Sequence, residues 1–323
     1  MKTAAAWIGR AGPFLGLAGA ALFFGLLVGP QFFRPANLEL MARQTAIVGT
    51  AALGMTLVIA AGGIDLSVGS IIALSTVAVA QVLRAGSGPE SAALAGIGAG
   101  ALCGALTGLL VTQLRMIPFI VTLGMMLLVR GAAKGLAEER RLEAPTTWLN
   151  DLLRTPGAGE GLLPWGLWML AALALAVAVV LRYTRFGRHL LAIGSNERTA
   201  RLCGVAVDRD KVFVYTLSAA FAGLAGVLQF AKLSVGDPTV AIGLELDVIA
   251  AVIIGGGSLL GGKGTALGTL VGATLMTVIQ IGCSQKGLPN WVQQIVTGVV
   301  IVAAVALDRW RQKGSTAGLQ EAA

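Results

Sequence analysis

The stretch TAIVGTAALGMTLVIAAGGIDLSVGSIIALSTVAVAQVL (45–83) contains one ionisable side chain, Asp65. Its two apolar runs, 45–62 and 66–83, each meet the roughly 17–25 residues that a membrane-crossing helix needs. Between them stands Gly62-Gly63-Ile64-Asp65-Leu66-Ser67, too glycine-rich to continue a helix. The same pattern repeats along the chain, near 13–30, 92–113, 116–133, 164–182, 212–230, 247–262, 264–283 and 291–307. The fold class is therefore all-α: a polytopic helical membrane protein of about ten transmembrane helices. Composition agrees, with 56% hydrophobic and only 12% charged residues among 323, where soluble domains carry about a quarter charged. Lys2, Arg10 and Ala18-Gly19-Ala20 resemble parts of a secretory signal. The apolar run there exceeds the roughly 7–15 residues of a cleavable core, so it reads as an uncleaved first span.

The loops give a direction to this bundle. Loop 183–211 and its edge carry Arg182, Arg185, Arg188, Arg198, Arg201, Arg209 and Lys211 against Glu197, Asp208 and Asp210. Loop 134–163 carries Lys134, Arg140, Arg141 and Arg154 against Glu138, Glu139, Glu143, Asp151 and Glu160. Positive charge collects on the cytoplasmic side, which puts 183–211 inside, 134–163 outside and both termini inside. Arg309, Arg311 and Lys313 in the C-terminal tail agree. The expected organisation is one transmembrane domain, 13–307, between cytoplasmic tails 1–12 and 308–323. The net charge of +8 then sets topology, and no nucleic-acid partner is implied. Trp165, Trp168, Trp291 and Trp310 fall at predicted helix ends, where indole rings settle at headgroup level. Cys103, Cys203 and Cys283 are widely spaced and odd in number, which gives neither a disulfide framework nor a metal site.

Gly96, Gly100, Gly104 and Gly108 recur at every fourth residue, as do Gly264, Gly268 and Gly272. Such stripes let two helix backbones pack closely in lipid. The middle of every predicted span lacks Asp, Glu, Lys, Arg and His. Ion-coupled carriers usually keep such groups at depth, so their absence suits a neutral solute driven by energy from elsewhere. Charge returns at two glycine-broken places. Asp65 and Ser67 stand before the third span, as helix caps or as parts of a path or gate. Glu245 and Asp247 stand at the outer start of the eighth. Gln44, Thr45, Thr56 and Gln280 are candidate polar groups lining a pathway.

Gly257 to Lys263 fits the spacing G-x-x-x-x-G-K, but Gly264 stands where a phosphate loop has Ser or Thr. The segment also follows a membrane helix rather than a strand. It is expected to be a tight turn that binds no nucleotide. Neither a Ser/His pair, nor HExxH, nor a carboxylate pair occurs at membrane depth, so no catalytic site is expected.

In loop 183–211, Asn196 is placed to cap a short helix running through Cys203, with Gly204 ending it. A short amphipathic helix at the membrane face suits docking of a soluble partner. IDLSVGS (64–70), GRHLLAIGSNERTARLCGV (187–205), GLELDVIAAVIIGGGSLLGGKGT (243–265) and a closing apolar helix follow in that order. In this the chain, from about residue 35 to 312, resembles the permeases of the ribose, xylose and galactose type within the ABC importers. The resemblance implies about ten helices per subunit, pairing as a dimer, and a home in the bacterial inner membrane. It also implies a cytoplasmic ATPase subunit that holds ATP and Mg, and a periplasmic sugar-binding protein. By that resemblance Gly194, Asn196, Ala200 and Gly204 fall in the segment that touches the ATPase. Asp65, Ser67, Glu245 and Asp247 fall on the signature hairpins, without assigned roles. The chain itself would hold no cofactor and sit in membrane lipid. The competing reading is a secondary carrier or facilitator for a neutral solute.

Overall fold

The computed structural model describes residues 2–155 and 163–320, with side chains described over 11–155 and 163–306. The expectations for Trp310, for Arg309, Arg311 and Lys313, and for Glu160 lie outside the described side chains. So do the expected tails, apart from Ala11 and Gly12.

The long helices are α1 (Lys2–Val28), α2 (Pro35–Ala60), α3 (Val68–Arg84), α4 (Pro89–Gln113) and α5 (Pro118–Leu136). After a short α6 (Trp148–Asp151) come α7 (Trp165–Tyr183), α8 (Arg185–Ser195), α9 (Glu197–Leu202) and α10 (Val207–Leu233). The chain closes with α11 (Leu244–Ile254), α12 (Ala266–Gln285) and α13 (Asn290–Gln320). Seven of these, α1, α2, α4, α5, α7, α10 and α12, are long and apolar enough to cross a membrane. Proline opens α2, α4 and α5, where its missing N–H costs nothing because no intrahelical acceptor exists there.

The centre of the bundle is α10 packed on α2 and α3, with α12 packed on the α2 side. α1 lies on the outside against α12, turning Leu15, Leu22, Phe23 and Leu26 outward. That apolar exterior is what a lipid-facing helix requires. The first glycine stripe explains the tightest contact, between α4 and α10. A Cβ on Gly100 or Gly104 would run into the carbonyl oxygens of Ala219 or Tyr215, and one on Gly108 into the backbone of Val212. In the second stripe, Gly268 and Gly272 meet the carbonyls of Gly255, just past α11, and of Ala251 on it.

Each of the ten apolar segments falls on a helix, but the eighth is not a full span. The expected helix 247–262 is instead α11, 11 residues ending at Ile254, or about 16 Å at helical rise. Gly255-Gly256-Gly257 stops it, with Gly256 at φ 93. The half that a helix would otherwise fill is irregular chain, residues 234–243, running antiparallel down α3. At its top a Cβ on Gly236 would meet Ala80 and Thr76, and at its bottom Gly69 abuts the Ala241 carbonyl. From Gly69 to Ala80 α3 rises about 16 Å, so this stretch descends about half a bilayer. Irregular backbone at such depth must bond to protein rather than lipid. Thr76 accepts from the Asp237 amide at 3.1 Å, and Arg130 donates to the Pro238 and Val240 carbonyls at 3.0 and 2.7 Å.

Loop 134–163 holds a two-residue strand β1 (Leu142–Glu143) paired antiparallel with β2 (Val235–Gly236), Leu142 opposite Gly236. It also holds α6, closed by a Thr147–Asn150 capping box.

Candidate functional site

Two broken helices meet inside the bundle. After α2 ends at Ala60, residues 61–67 are turn and coil before α3 begins. Asp65, with no exposed surface, accepts from the Ser67 amide at 2.8 Å and from the Ser67 hydroxyl at 2.5 Å. Ser67 occupies the N-cap position of α3 but makes no side-chain cap bond. The expectation of a Ser67 side-chain cap is corrected here, while Asp65 does accept a backbone amide, that of Ser67, at the start of α3. The Asp65 carboxylate, as the stronger acceptor, takes the Ser67 hydroxyl as a donor. The second Asp65 oxygen has no protein partner.

Next to this start lies the start of α11. A Cβ on Gly69 would strike the Glu245 carboxylate, so the N-termini of two part-length helices converge. Both carry acidic groups in or before the first turn, Asp65 for α3 and Glu245 with Asp247 for α11. Carboxylates there complement the positive ends of the helix dipoles, which accounts for acidic residues buried in an apolar bundle. Glu245 also accepts from the Gly243 amide at 3.2 Å.

A cavity of about 650 Å³, with aliphatic and polar side chains in its wall, opens above α11, within the range of small-molecule sites. Gln44 of α2, Lys232 of α10, Asp247 of α11, and Gln280 and Ser284 of α12 line it, with Asn290, Gln293, Gln294 and Thr297 of α13. These positions lie in the halves of α2 and α10 remote from α8 and α9. Lys232 donates to Gln44 at 2.6 Å and Gln280 donates to Asp247 at 2.5 Å. Of the four candidate lining residues, Gln44 and Gln280 reach the cavity. Thr45 is buried outside it with its hydroxyl unpartnered. Thr56 lies between α2 and α12, hydrogen-bonded to Thr269 at 2.7 Å and to the Ala52 carbonyl at 2.8 Å.

At the opposite end, α8 and α9 form the basic segment. Thr184 caps α8 by accepting from the Gly187 amide at 3.1 Å. Asn196 caps α9 by accepting from the Thr199 amide at 3.0 Å, and Gly204 follows it at φ 84. Arg201 pairs with both oxygens of Asp208, at 2.8 and 3.0 Å, and Lys211 with Glu197 at 2.7 Å. The paired Asp208 carboxylate raises the Arg201 guanidinium above its ordinary range. Partial burial pushes Glu197 up, but Lys211 and then Arg201 outweigh it, and its carboxyl is held below 4.5. Ala200 faces inward, packed with Ile193 and Val207. The outward face of α9 is Arg198, Thr199 and Leu202, the last 88% exposed.

Gly194 joins the two regions. A Cβ there would strike the Ala60 carbonyl oxygen and the Gly262 amide, and one on Gly261 would lie 2.6 Å from the Gly194 carbonyl oxygen. Gly62 also approaches the Gly194 Cα. The last turn of α8 therefore rests on both helix breaks at once.

Sequence reading passed over Lys232, Arg130 and the Asn290–Thr297 stripe. Arg130 lies inside the expected span 116–133, and a charge within a span is itself a signal of function. Lys232 stands just past the expected end of the seventh span, where it passes for an interface anchor.

Comparison with known proteins places these features in a family. The model described as branched-chain amino acid transport system / permease component matches residues 37–305. The ribose import permease protein RbsC of Escherichia coli K12 is 40% identical over 284 residues, 88% of each chain. RbsC of Bacillus subtilis is 39% identical over 93% of this chain and 92% of its own. The fructose import permease protein FrcC of Rhizobium meliloti is 35% identical over 93% of this chain and 85% of its own. No solved structure matches the chain. With a family match over most of its length, and sugar-import permeases as full-length relatives, this multi-pass membrane chain belongs to the permease family of the sugar ABC importers.

Proposed function

We propose that the chain is the membrane-crossing subunit of an importer for a small neutral sugar, a pentose, hexose or close relative, in the bacterial inner membrane. ATP is hydrolysed in a separate cytoplasmic subunit that holds ATP and Mg, and a periplasmic protein delivers the sugar. Two copies of the chain pair around the pathway. Loop 183–211 faces the cytoplasm and 134–163 the outside.

The observation that carries this reading is the seat of Gly194 on both helix breaks. A force applied to α8 and α9 reaches 61–67 and 255–265 directly, because no side chain intervenes. α9 is held to α10 by Arg201–Asp208 and Lys211–Glu197, so the segment moves as one body. The exposed Leu202, ringed by Arg198 and Thr199, is the surface a soluble ATPase would grip. Gly194, Asn196 and Gly204 shape that body, and Ala200 anchors it from within. Closing of the ATPases on ATP then biases the pathway between outward-open and inward-open states.

The test is purification of the tagged chain in gentle detergent, identification of its partners, and reconstitution with them. Ribose, fructose and arabinose, the sugars named for relatives, are assayed first. ATP-dependent uptake that stops on Asn196→Pro, with the chain still folded, supports the reading. Uptake by the chain alone without an ATPase overturns it in favour of a facilitator. Sidedness has its own probe: Cys203 is exposed whereas Cys103 and Cys283 are buried. A membrane-impermeant maleimide should label Cys203 only when the cytoplasmic face is accessible.

A further inference from the structure

Both charges lining the cavity are tied to amides. The Lys232 ammonium donates to Gln44 Oε1, and Gln280 Nε2 donates to Asp247 Oδ2. An ammonium offers only donors and a carboxylate only acceptors, so each bond decides which way round its amide sits. Gln44 must turn its oxygen to Lys232 and keep its NH₂ free. Gln280 must turn its NH₂ to Asp247 and keep its oxygen free. Asp247 is only 7% exposed, yet its Oδ1 has no partner.

We infer that this cavity is a binding site for a neutral polyhydroxy solute, in which Lys232 and Asp247 fix the polarity of Gln44 and Gln280. The site presents one amide donor, Gln44 Nε2, and one amide acceptor, Gln280 Oε1. A hydroxyl gives one hydrogen bond and takes others, so adjacent hydroxyls of a polyol match such a mixed set. One cation and one anion in the wall sum to no net charge that would select an ionic ligand. Asp247 stands in the first turn of α11, and its Oδ1 is shut off from solvent. Lys232 is a positioning residue that acts through Gln44. Asp247 is likewise a positioning residue, acting through Gln280. Without these charges either amide could rotate by a half-turn, and the site would no longer favour one orientation of solute over its mirror arrangement of donors.

The inference rests on the transport reading and deepens it, so two measurements are needed. In the reconstituted complex, Lys232→Met should raise the half-saturation concentration for sugar by up to about tenfold, the worth of the one neutral hydrogen bond that Gln44 gives the solute. Its maximal rate should change little, and Lys232→Arg should restore the wild-type value. Asp247→Asn should act in the same direction as Lys232→Met. Unchanged half-saturation in both Lys232→Met and Asp247→Asn overturns the inference while leaving the importer reading intact. Independently of any ATPase, Ser284→Cys in a Cys203→Ser background places a thiol in the cavity wall. Ribose should slow its maleimide labelling, and Lys232→Met should remove that protection. Protection by leucine and not by sugars would overturn the inference, because the cavity would then select a zwitterion.

Discussion

The amide of Gly262 donates to the carbonyl oxygen of Ala60 at 2.9 Å, so the break after α11 is bonded to the end of α2. The bond lies directly under Gly194. Any side chain at 194 has to wedge between its two partners.

Gly194→Ala should therefore lower the melting temperature in detergent and abolish ATP-driven uptake. Overpacking of this kind costs about 1–3 kcal/mol. Gly204→Ala is the comparison. A Cβ there meets nothing within 4 Å, so only the positive φ opposes it, at about 1 kcal/mol, and uptake should survive. Equal uptake by the two variants would show that the Gly194 seat transmits nothing.

Thr56 tests packing against lining. Its hydroxyl bonds Thr269 across α2 and α12, remote from the cavity wall. Thr56→Val should cost about 1 kcal/mol of stability, the net worth of a hydrogen bond, and leave the half-saturation concentration for sugar unchanged. A large change in that concentration would return Thr56 to the pathway.

Arg130 holds the descending segment by the carbonyls of Pro238 and Val240. Arg130→Gln removes charge-assisted bonds worth about 1.5–3 kcal/mol from irregular backbone that lipid cannot satisfy. Amide exchange over 236–245 should accelerate while α4 and α10 stay protected. Exchange that rises uniformly over the bundle would mean that Arg130 supports the whole fold rather than this segment.

The bracing of α9 should depend on acidity. Glu197, held below its ordinary 4.5 by Lys211 and Arg201 against the opposing effect of burial, is a depressed carboxyl. It contributes stability above pH 4.5, and that contribution is lost as pH falls through its lower folded value. Limited proteolysis between residues 196 and 206 should accelerate below pH 4.5, and Glu197→Gln should be equally susceptible at pH 7. Cleavage insensitive to both would detach the ion pairs from the order of α9.

The ten apolar segments, the Asn196 cap and the Gly204 stop were legible because each is local: periodicity, a cap residue and a glycine suffice. Gln44 and Gln280 could be named as polar groups within spans, but nothing in the chain separated them from Thr56, which lies on a packing face. The half-length of α11 was hidden because Leu244 to Ile254 and the glycines after it together have the apolarity of a whole span. That Gly69 of α3 abuts Glu245 of α11, and that Gly194 rests on both breaks, are tertiary facts. They join residues far apart in sequence through backbone contacts, which carry no side-chain signature.

A helix of 11 residues also bears on how the protein is made. About 16 Å of apolar helix is too little to leave the insertion machinery for lipid alone, since a stable span needs roughly 20 residues. α11 must wait until α12 emerges and partition with it as a hairpin, its descending arm 234–243 stowed against an α3 already in place. The last third of the chain is thus committed to the membrane by the first, and a ribosome stalled between residues 255 and 285 would leave a nascent protein unable to complete its crossing.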